Sequence, residues 1–407
     1  MLIKLFYTSL LLMLSGFVLA KQSVSGTVTD MESGKAIVSA SIFLNNTSIG
    51  TKTDNGGKFQ LYAPQGRFEL IVSCIGYETH SQLVGAADTG LLTIRLKPKA
   101  AELETVVIEP FEKNGWEKWG SFFLESFIGT SAQAGDCRLK NPQVLRFRNR
   151  KSEKELTAHA LEPLIVENKA LGYTIHYQLE SFSYNFKTRY LSYTGYPFFI
   201  PMKGNVAKEK RWKEKREEVY RGSLMHFMRT IYRNTLAAEG FEVRRLKKVD
   251  NEEKQRVKAA YAKNIKAQFM EGKQVMASVN KDTADYYDKI LRQRDQNDII
   301  GKDILPGDSI AYAEDSTTVG LDFPDYVLVI YKHAATPREY RTLYPESSTA
   351  QMSQLNLLNF RPVFVEASGS YYSPTDLIIL GYWSWSEKMA TMLPFDYQTE
   401  SRPQVRQ

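Results

Sequence analysis

Short segments with the two-residue periodicity of β-strands recur through the first hundred residues, and turn residues separate them. Six such segments are predicted as strands: residues 23–30, 40–44, 48–53, 58–63, 67–75 and 91–96. Because alternation places the apolar side chains on one face of each strand, that face must be buried against a second layer. The spacing therefore predicts an all-β sandwich for the N-terminal part of the chain.

The sequence TDNGGKF, residues 53–59, fits either a cation-binding loop or a turn. A calcium loop requires six or more oxygen ligands, and Asp54 and Asn55 supply too few. Asp54 can instead accept a hydrogen bond from the backbone two residues further on, and the two glycines tolerate positive φ. We therefore predict that residues 53–59 form a hairpin turn.

Two cysteines, Cys74 and Cys137, would allow one disulfide in an exported protein. The alternation within residues 67–75 places Cys74 on the apolar face of its strand. Free cysteines are commonly buried, so a buried thiol is the favoured interpretation. Whether the two cysteines ever pair is left open.

Three stretches of this sandwich carry a family resemblance: SGTVTD (25–30), SASIFLNNTSIGTKTDNGGKFQL (39–61) and LIVSCIGYET (70–79). In order and spacing they resemble the carboxypeptidase-regulatory-like domain, a transthyretin-like sandwich of about seven strands. The resemblance covers residues 22–98. It implies a non-catalytic module without an active site, one that in envelope proteins of the Bacteroidetes often follows the signal peptide directly.

Residues 1–20 are predicted to be a cleaved signal peptide, with Lys4 at a positive start, an apolar run and Ala20 before the cut. Lys21 follows the cut where a lipoprotein needs Cys, so no lipid anchor is expected. No later run reaches the roughly 18 apolar residues of a membrane-spanning helix. We therefore expect an exported protein of the periplasm or the outer-membrane periphery.

After the sandwich, residues 99–118 are predicted to be a linker and residues 119–400 an α+β domain of unknown function. The linker contains AAELETVVIEP (100–110), which is similar to the segment that precedes the plug of TonB-dependent receptors. The predicted α+β domain resembles the uncharacterised second domain of short Bacteroidetes proteins. The stretches that carry this resemblance include YTGYPFFIPM (193–202) and LGYWSWSEKMATMLPFDY (380–397). That resemblance implies no activity and no site residues.

Periodicity predicts the elements of the α+β domain. Strands are predicted at residues 171–179, 188–197, 326–331, 361–366 and 377–382, and helices at residues 208–220, 223–238 and 252–270. In the last helix Val257, Tyr261, Ile265 and Phe269 recur every four residues, so these side chains are expected to pack inward.

The net charge of +7 is concentrated in residues 244–273, which contain ten Lys or Arg against four Asp or Glu. A solvated helix face explains such a run in many proteins, and a binding surface is the alternative. The candidate binding residues are the lysines expected to face outward: Lys254, Lys258, Lys263 and Lys266. Their expected partner is anionic lipid or glycan, because an exported protein rarely meets nucleic acid.

Trp383 and Trp385 are the second candidate binding residues, since the predicted strand 377–382 continues into YWSW and would place both indoles on one side. Indoles side by side can stack on sugar rings. Burial in a core is the favoured alternative, because Trp is generally well buried.

Two patterns suggest catalysis only weakly. His159 and Glu162 have the HxxE spacing of zinc carboxypeptidases, yet a third ligand is not evident and Pro163 would end a helix. Ser223 and His226 lie three residues apart, but Ser223 fits better as a helix N-cap. We therefore predict no catalytic residues, no metal and no cofactor.

These inferences favour an exported, non-catalytic cell-envelope protein whose second domain binds a partner: a protein, a glycan or anionic lipid. One alternative is a periplasmic accessory of a TonB-dependent outer-membrane transporter. Another is a peptide or glycan hydrolase. The ligand, the face of the outer membrane and the oligomeric state are left open.

Overall fold

The computed structural model describes residues 22–64, 66–85, 90–99, 110–270 and 281–399, apart from the side chains of residues 22, 262–270 and 281. The predicted signal peptide (1–20) and half of the predicted linker (100–109) lie outside these ranges. None of the helices described is long and apolar enough to cross a membrane.

Seven strands form two facing sheets in the N-terminal part, which confirms the predicted β-sandwich. They are β1 (Gln22–Asp30), β2 (Ser41–Leu44), β3 (Gly50–Lys52), β4 (Lys58–Ala63), β5 (Phe68–Ser73), β6 (His80–Val84) and β7 (Leu92–Leu96). One sheet has the order β4-β1-β7 and the other the order β3-β2-β5-β6. The first core lies between them, with Val28, Leu70 and Ile94 almost completely buried. Strand β6 was not predicted, because its sequence HSQLV is mostly polar and only Val84 is buried.

Residues 53–59 form a turn, as predicted, but the two strands that flank this turn do not pair with each other, so the predicted hairpin is wrong. Asp54 Oδ1 accepts hydrogen bonds from the backbone N–H groups of Gly56 and Lys58, each 2.8 Å long, and Gly57 has a φ of 72°. However, β3 pairs with β2 and β4 pairs with β1, so the turn connects strands of opposite sheets. Local residues specify the turn, whereas strand pairing depends on the whole sandwich.

Both cysteines are free thiols, Cys137 buried and Cys74 partly buried. Burial raises the pKa of Cys137 to about 12 and also raises the pKa of Cys74. Both thiols are therefore protonated near neutral pH and poorly nucleophilic.

A second core is formed by helix α1 (Gly115–Phe127) and a six-stranded sheet. The strands are β8 (Cys137–Leu139), β9 (Leu145–Arg150), β10 (Glu155–Ala160), β11 (Leu164–Asn168), β12 (Tyr173–Asn185) and β13 (Tyr190–Pro201). Their order is β8-β11-β12-β10-β9, and β13 pairs with β12. Phe123 and Phe127 of α1 stack at a centroid distance of 5.1 Å, and the chain returns near its end to bury Met389 and Leu393 in this core.

A third core combines a five-stranded sheet, a four-stranded sheet and one buried helix. The first sheet has the order β15 (Gln296–Ile304), β14 (Phe241–Asp250), β18 (Tyr326–Ala335), β19 (Ala350–Leu357), β22 (Leu377–Gly381). The second has the order β16 (Ala311–Ala313), β17 (Thr318–Leu321), β20 (Val363–Glu366), β21 (Tyr371–Tyr372). The remaining helices are α2 (Val206–Tyr220), α3 (Leu224–Arg233), α4 (Glu252–Met270), α5 (Lys281–Leu291), α6 (Arg338–Leu343) and α7 (Tyr382–Ser386). Helix α3 contributes Phe227 and Met228 to the third core.

The predicted fold class is confirmed, because a β-sandwich is followed by a part that contains both helices and sheets.

The sandwich docks on the second part through the turn after β2. The backbone N–H of Asn46 donates to Pro197 O at 2.8 Å, and the N–H of Phe199 donates to Thr47 O at 2.9 Å. Ser48 donates its backbone N–H to Asp396 Oδ1 at 2.9 Å. Because Thr47 is fully buried, this turn is part of an interface and not a solvated loop.

Candidate functional site

Lys254 and Lys258, the two candidate lysines of α4 whose side chains are described, differ in exposure. Lys254 is only 8% exposed, and its Nζ donates to Gln293 O and lies 3.2 Å from Asp295 Oδ1. Lys258 Nζ lies 2.6 Å from the same carboxylate oxygen. The outward orientation predicted for Lys254 is therefore wrong, because this residue faces the chain that enters β15. The ammonium groups of Lys258 and Lys254 also lower the pKa of Asp295.

Of the apolar stripe predicted for α4, only Val257 and Tyr261 have described side chains, since those of Ile265 and Phe269 lie outside the described part of the structure. Val257 is buried, but Tyr261 is 46% exposed. The side chains of the other candidates, Lys263 and Lys266, lie outside the described part of the structure. The backbone bounds of α4 agree with the predicted helix at residues 252–270.

Trp383 and Trp385 lie on a helix and not on the predicted strand. Strand β22 ends at Gly381, which has a φ of 76°, and α7 begins at the next residue. Trp383 is 2% exposed and donates its Nε1–H to Gly222 O at 2.7 Å, and Trp385 is 8% exposed and donates to Thr130 Oγ1 at 2.8 Å. Neither indole offers an open face for a sugar ring, as expected of core residues.

The HxxE pattern does not lie on a helix. His159 belongs to strand β10, where its ring contacts the ring of Phe111 at 5.6 Å. Within the described ranges, no group of three or more His, Cys, Asp or Glu side chains is arranged to hold a metal ion. That the protein carries no zinc remains a prediction.

Ser223 is the N-cap of α3, as the sequence predicted, and its Oγ accepts the backbone N–H of His226 at 3.1 Å. The ring of His226 has partners at both nitrogens: Nδ1 accepts the N–H of Gly222 at 3.1 Å, and Nε2 lies 2.9 Å from Glu239 Oε2. Because Nδ1 accepts a hydrogen bond, the proton of the neutral ring is on Nε2 and is donated to Glu239. The imidazole is therefore not arranged as a base for the Ser223 hydroxyl.

Burial opposes ionisation of Glu239, but hydrogen bonds from His226 and Thr235 and the charge of Arg233 together lower the pKa of this carboxyl. Arg233 lies 3.1 Å from Glu239 Oε1. The carboxylate thus stays charged at neutral pH and holds the His226 ring in one orientation.

A cleft of about 880 Å³ opens beside His226, where the second and third cores meet. Its wall is built by the end of α2, the start of α3, strands β18 and β19, and helix α7. The cleft could not be predicted from sequence, because its wall residues come from segments up to 268 residues apart, between Ser131 and Thr399. Of the residues that the sequence analysis singled out, the wall contains Ser223, His226 and Trp385.

Three buried polar atoms in the cleft wall have no hydrogen-bond partner among the described residues: Ser131 Oγ, Gln351 Oε1 and Ser386 Oγ. Gln351 is 8% exposed and Ser386 is 9% exposed. The amide of Gln351 is oriented by its Nε2, which donates to Ala335 O at 3.2 Å. The unpartnered atom is therefore the carbonyl oxygen, a hydrogen-bond acceptor.

The cleft wall is rich in carboxylates. It contains two arginines, Arg221 and Arg233, and two histidines, His226 and His333. The wall also contains six glutamates: Glu214, Glu217, Glu218, Glu239, Glu339 and Glu387. Arg221 pairs with Glu217 at 3.0 Å, so the two arginines are already engaged with carboxylates of the wall.

Glu387 lies in the cleft wall without a salt bridge among the described residues. It is partly exposed, and its Oε1 accepts the backbone N–H of Leu224 at 3.1 Å. Burial raises its pKa to about 7, against the hydrogen bond from Leu224 and the charge of Lys388. The neighbouring Lys388 is affected in the opposite direction, since burial lowers its pKa to about 8.

Comparison with known families assigns the first part of the chain. Residues 24–108 match the CarboxypepD_reg-like domain. The protein therefore combines a carboxypeptidase-regulatory-like sandwich with an α+β part that lies outside that match.

One curated relative, TonB-dependent receptor P3 of Formosa agariphila, is 30% identical over 99 residues, which is 24% of this chain and 10% of the receptor. The match therefore spans about a tenth of the receptor's length. Among solved structures, a DUF3823 family protein of Bacteroides ovatus is 10% identical with a TM-score of 0.16, over 46% of this chain and 83% of that one. A putative membrane-associated protein of unknown function from Bacteroides fragilis is 11% identical with a TM-score of 0.16, over 89% of this chain and 95% of that one. At such TM-scores neither likeness supports an argument about fold or function.

Proposed function

We propose that this protein is a non-catalytic component of the cell envelope and that it binds a partner in the cleft between its second and third cores. The observation that carries the proposal is the set of unpartnered polar atoms in the wall, Ser131 Oγ, Gln351 Oε1 and Ser386 Oγ. Buried polar groups almost always have a hydrogen-bond partner, because a missing one costs about 1–3 kcal/mol. A ligand that supplies these partners recovers that energy on binding.

The envelope location is supported by the N-terminal domain and by the relative that shares it. The carboxypeptidase-regulatory-like domain and the similarity to a TonB-dependent receptor both fit an envelope protein. The predicted signal peptide at residues 1–20 points to the same location.

A binding role is preferred to hydrolysis because the candidate catalytic groups are already engaged. Both nitrogens of His226 have partners, and Ser223 Oγ caps α3. The other pair, His159 and Glu162, does not belong to the cleft wall.

A second candidate function is that of an accessory to a TonB-dependent transporter. The similarity to a receptor of that class favours it. In that case the partner in the cleft would be a part of the transporter.

Site-specific photo-crosslinking in intact cells tests the proposal. A photoreactive amino acid is placed at Glu339, an exposed residue of α6 in the cleft wall, and separately at Arg341, an exposed residue of the same helix that does not belong to the wall. We expect a specific adduct from position 339 and none from position 341. The mass of the adduct distinguishes a transporter from another envelope partner.

Equal yields at the two positions, or no adduct at position 339, would overturn binding in the cleft. Recovery of the protein from the cytoplasmic fraction alone would overturn the envelope location.

A further inference from the structure

We infer that the cleft recognises a cationic N–H donor, a guanidinium or ammonium group, by means of Gln351, the surrounding glutamates and the aromatic wall. This inference rests on the proposed function and adds to it the chemistry of the ligand. Three independent features of the wall lead to it.

The first feature is the unmet acceptor. Gln351 Oε1 is buried and unpartnered within the described structure. It lies beside Gly222 in the cleft wall, and the bond from Gln351 Nε2 to Ala335 O leaves the oxygen as the unpartnered end of the amide. An acceptor is satisfied only by a donor. Guanidinium and ammonium groups are donors only, with five and three N–H bonds respectively, so they do not present a competing acceptor to this oxygen.

The second feature is the charge of the wall. Six glutamates face two arginines and two histidines, and the arginines pair with Glu217 and Glu239. Glu387 is held by the backbone N–H of Leu224 and has no salt bridge in the described part of the chain. The wall therefore contains more carboxylates than cationic groups, so it attracts a cation and repels an anion.

The third feature is the set of aromatic rings. Tyr331 and Tyr382 contribute to the cleft wall, whereas the indole of Trp385 is buried behind it. The faces of tyrosine rings attract cations. A neutral sugar could use the rings, but it would gain nothing from the carboxylates.

Binding of small probes to the full-length mature protein tests the inference. The probes are N-acetylated and C-amidated Gly-Arg-Gly, the same tripeptide with citrulline in place of Arg, and spermidine. Citrulline has nearly the shape of Arg but no charge. We expect the Arg tripeptide to bind at least about tenfold more tightly than the citrulline tripeptide, since hydrogen bonds to charged groups are stronger than neutral ones.

The same titrations distinguish two sources of the cation. Tight binding of the Arg tripeptide alone indicates a basic side chain of a peptide or protein partner. Tight binding of spermidine alone indicates a free amine. Either result, or tight binding of both cations, supports the inference. Measurable and equal binding of the Arg and citrulline tripeptides, or binding of none of the probes, overturns it.

Substitutions on strand β19 locate the site. Gln351→Leu removes the acceptor and should weaken binding of the cationic probe about tenfold or more. Gln354→Leu is the matched control: it is the same change on the same strand, but Gln354 bonds Asp298 and does not belong to the cleft wall. Glu339→Gln, an exposed change that cannot disturb a core, should also weaken binding.

A melting curve for each variant shows whether it is folded. If Gln351→Leu and Glu339→Gln bind as tightly as the wild type, the assigned site is wrong. If photo-crosslinking at position 339 succeeds while no cationic probe binds, the ligand chemistry is wrong and the proposed binding role stands.

Discussion

At the scale of single residues, Gly222 joins several contacts that shape the cleft. Its φ is 78°, its N–H donates to His226 Nδ1, and its carbonyl accepts the indole N–H of Trp383. A Cβ at this position would lie 2.5 Å from Tyr331 Cδ1 and 2.8 Å from Gln351 Oε1. Glycine is therefore required here both by backbone conformation and by space.

We predict that Gly222→Ala lowers the free energy of unfolding by about 1–3 kcal/mol, from backbone strain and the clash with Tyr331. Denaturant unfolding of the variant and the wild type measures this difference in free energy. Gly135→Ala is the control, because a Cβ there has nothing within 4 Å. Equal stability of the two variants would show that the turn at residue 222 relaxes without cost.

Glu387 is predicted to make stability depend on pH. Its folded pKa of about 7 lies above the ordinary 4.5, so between these pH values the folded state keeps a proton that the unfolded state releases. Stability contributed by this group therefore falls as pH rises from about 4.5 to 7. We expect Glu387→Gln to raise the melting temperature relative to wild type more at pH 8 than at pH 5, whereas exposed Glu339→Gln shows no such difference. A shift of equal size at both pH values would contradict the raised pKa.

At the scale of secondary-structure elements, the two lysines at the start of α4 are predicted to behave differently. Lys254 is buried against Gln293 and Asp295, whereas Lys258 is 53% exposed in its side chain. Lys254→Ala should destabilise the protein by about 1–3 kcal/mol, because it removes the packing of a buried side chain together with its hydrogen bond to Gln293 O. Lys258→Ala should cost about 1 kcal/mol or less, as exposed ion pairs do. Urea unfolding of both variants checks this, and a larger effect at Lys258 would contradict the assigned burial.

Helices were predictable from sequence where local pattern decides them. Residues 252–270 were predicted with the observed bounds, and Ser223 was predicted as the N-cap of α3. Local pattern failed at residues 382–386, because the positive φ of Gly381 ends β22 and allows a helix that the apolar run does not reveal.

Neither strand pairing nor the cleft could be predicted, since both depend on contacts distant in sequence. The turn at residues 53–59 was recognised, but its flanking strands pair in different sheets. Gln351 reaches the cleft through the pairing of β19 with β18, and Ser386 reaches it through α7. Nothing in their own sequence context distinguishes these two residues from ordinary polar residues.

At the scale of the whole molecule, the sandwich has its own core although it is docked. The first core is formed entirely by residues between Val24 and Leu96. The docking contacts come from a single turn and a few surface groups, such as Tyr372 Oη, which donates to Arg67 O at 2.6 Å.

We therefore predict that residues 22–98 fold alone. Limited proteolysis should cut between residues 98 and 118 and release a β-rich fragment, with circular dichroism as the readout. An unfolded fragment would show that the sandwich depends on the second part for its stability.

If the cleft is occupied by a partner in the envelope, its carboxylates should be shielded there, and carboxyl footprinting measures this shielding. A carbodiimide labels exposed carboxylates in the isolated envelope fraction and in the purified protein, and mass spectrometry compares the two. Glu214 and Glu339 are exposed residues of the cleft wall, while Glu32 and Glu125 are exposed residues outside it. We expect Glu214 and Glu339 to be labelled several-fold less in the envelope than in the purified protein, and Glu32 and Glu125 to be labelled equally in both. Equal labelling of all four carboxylates in the two preparations would contradict it.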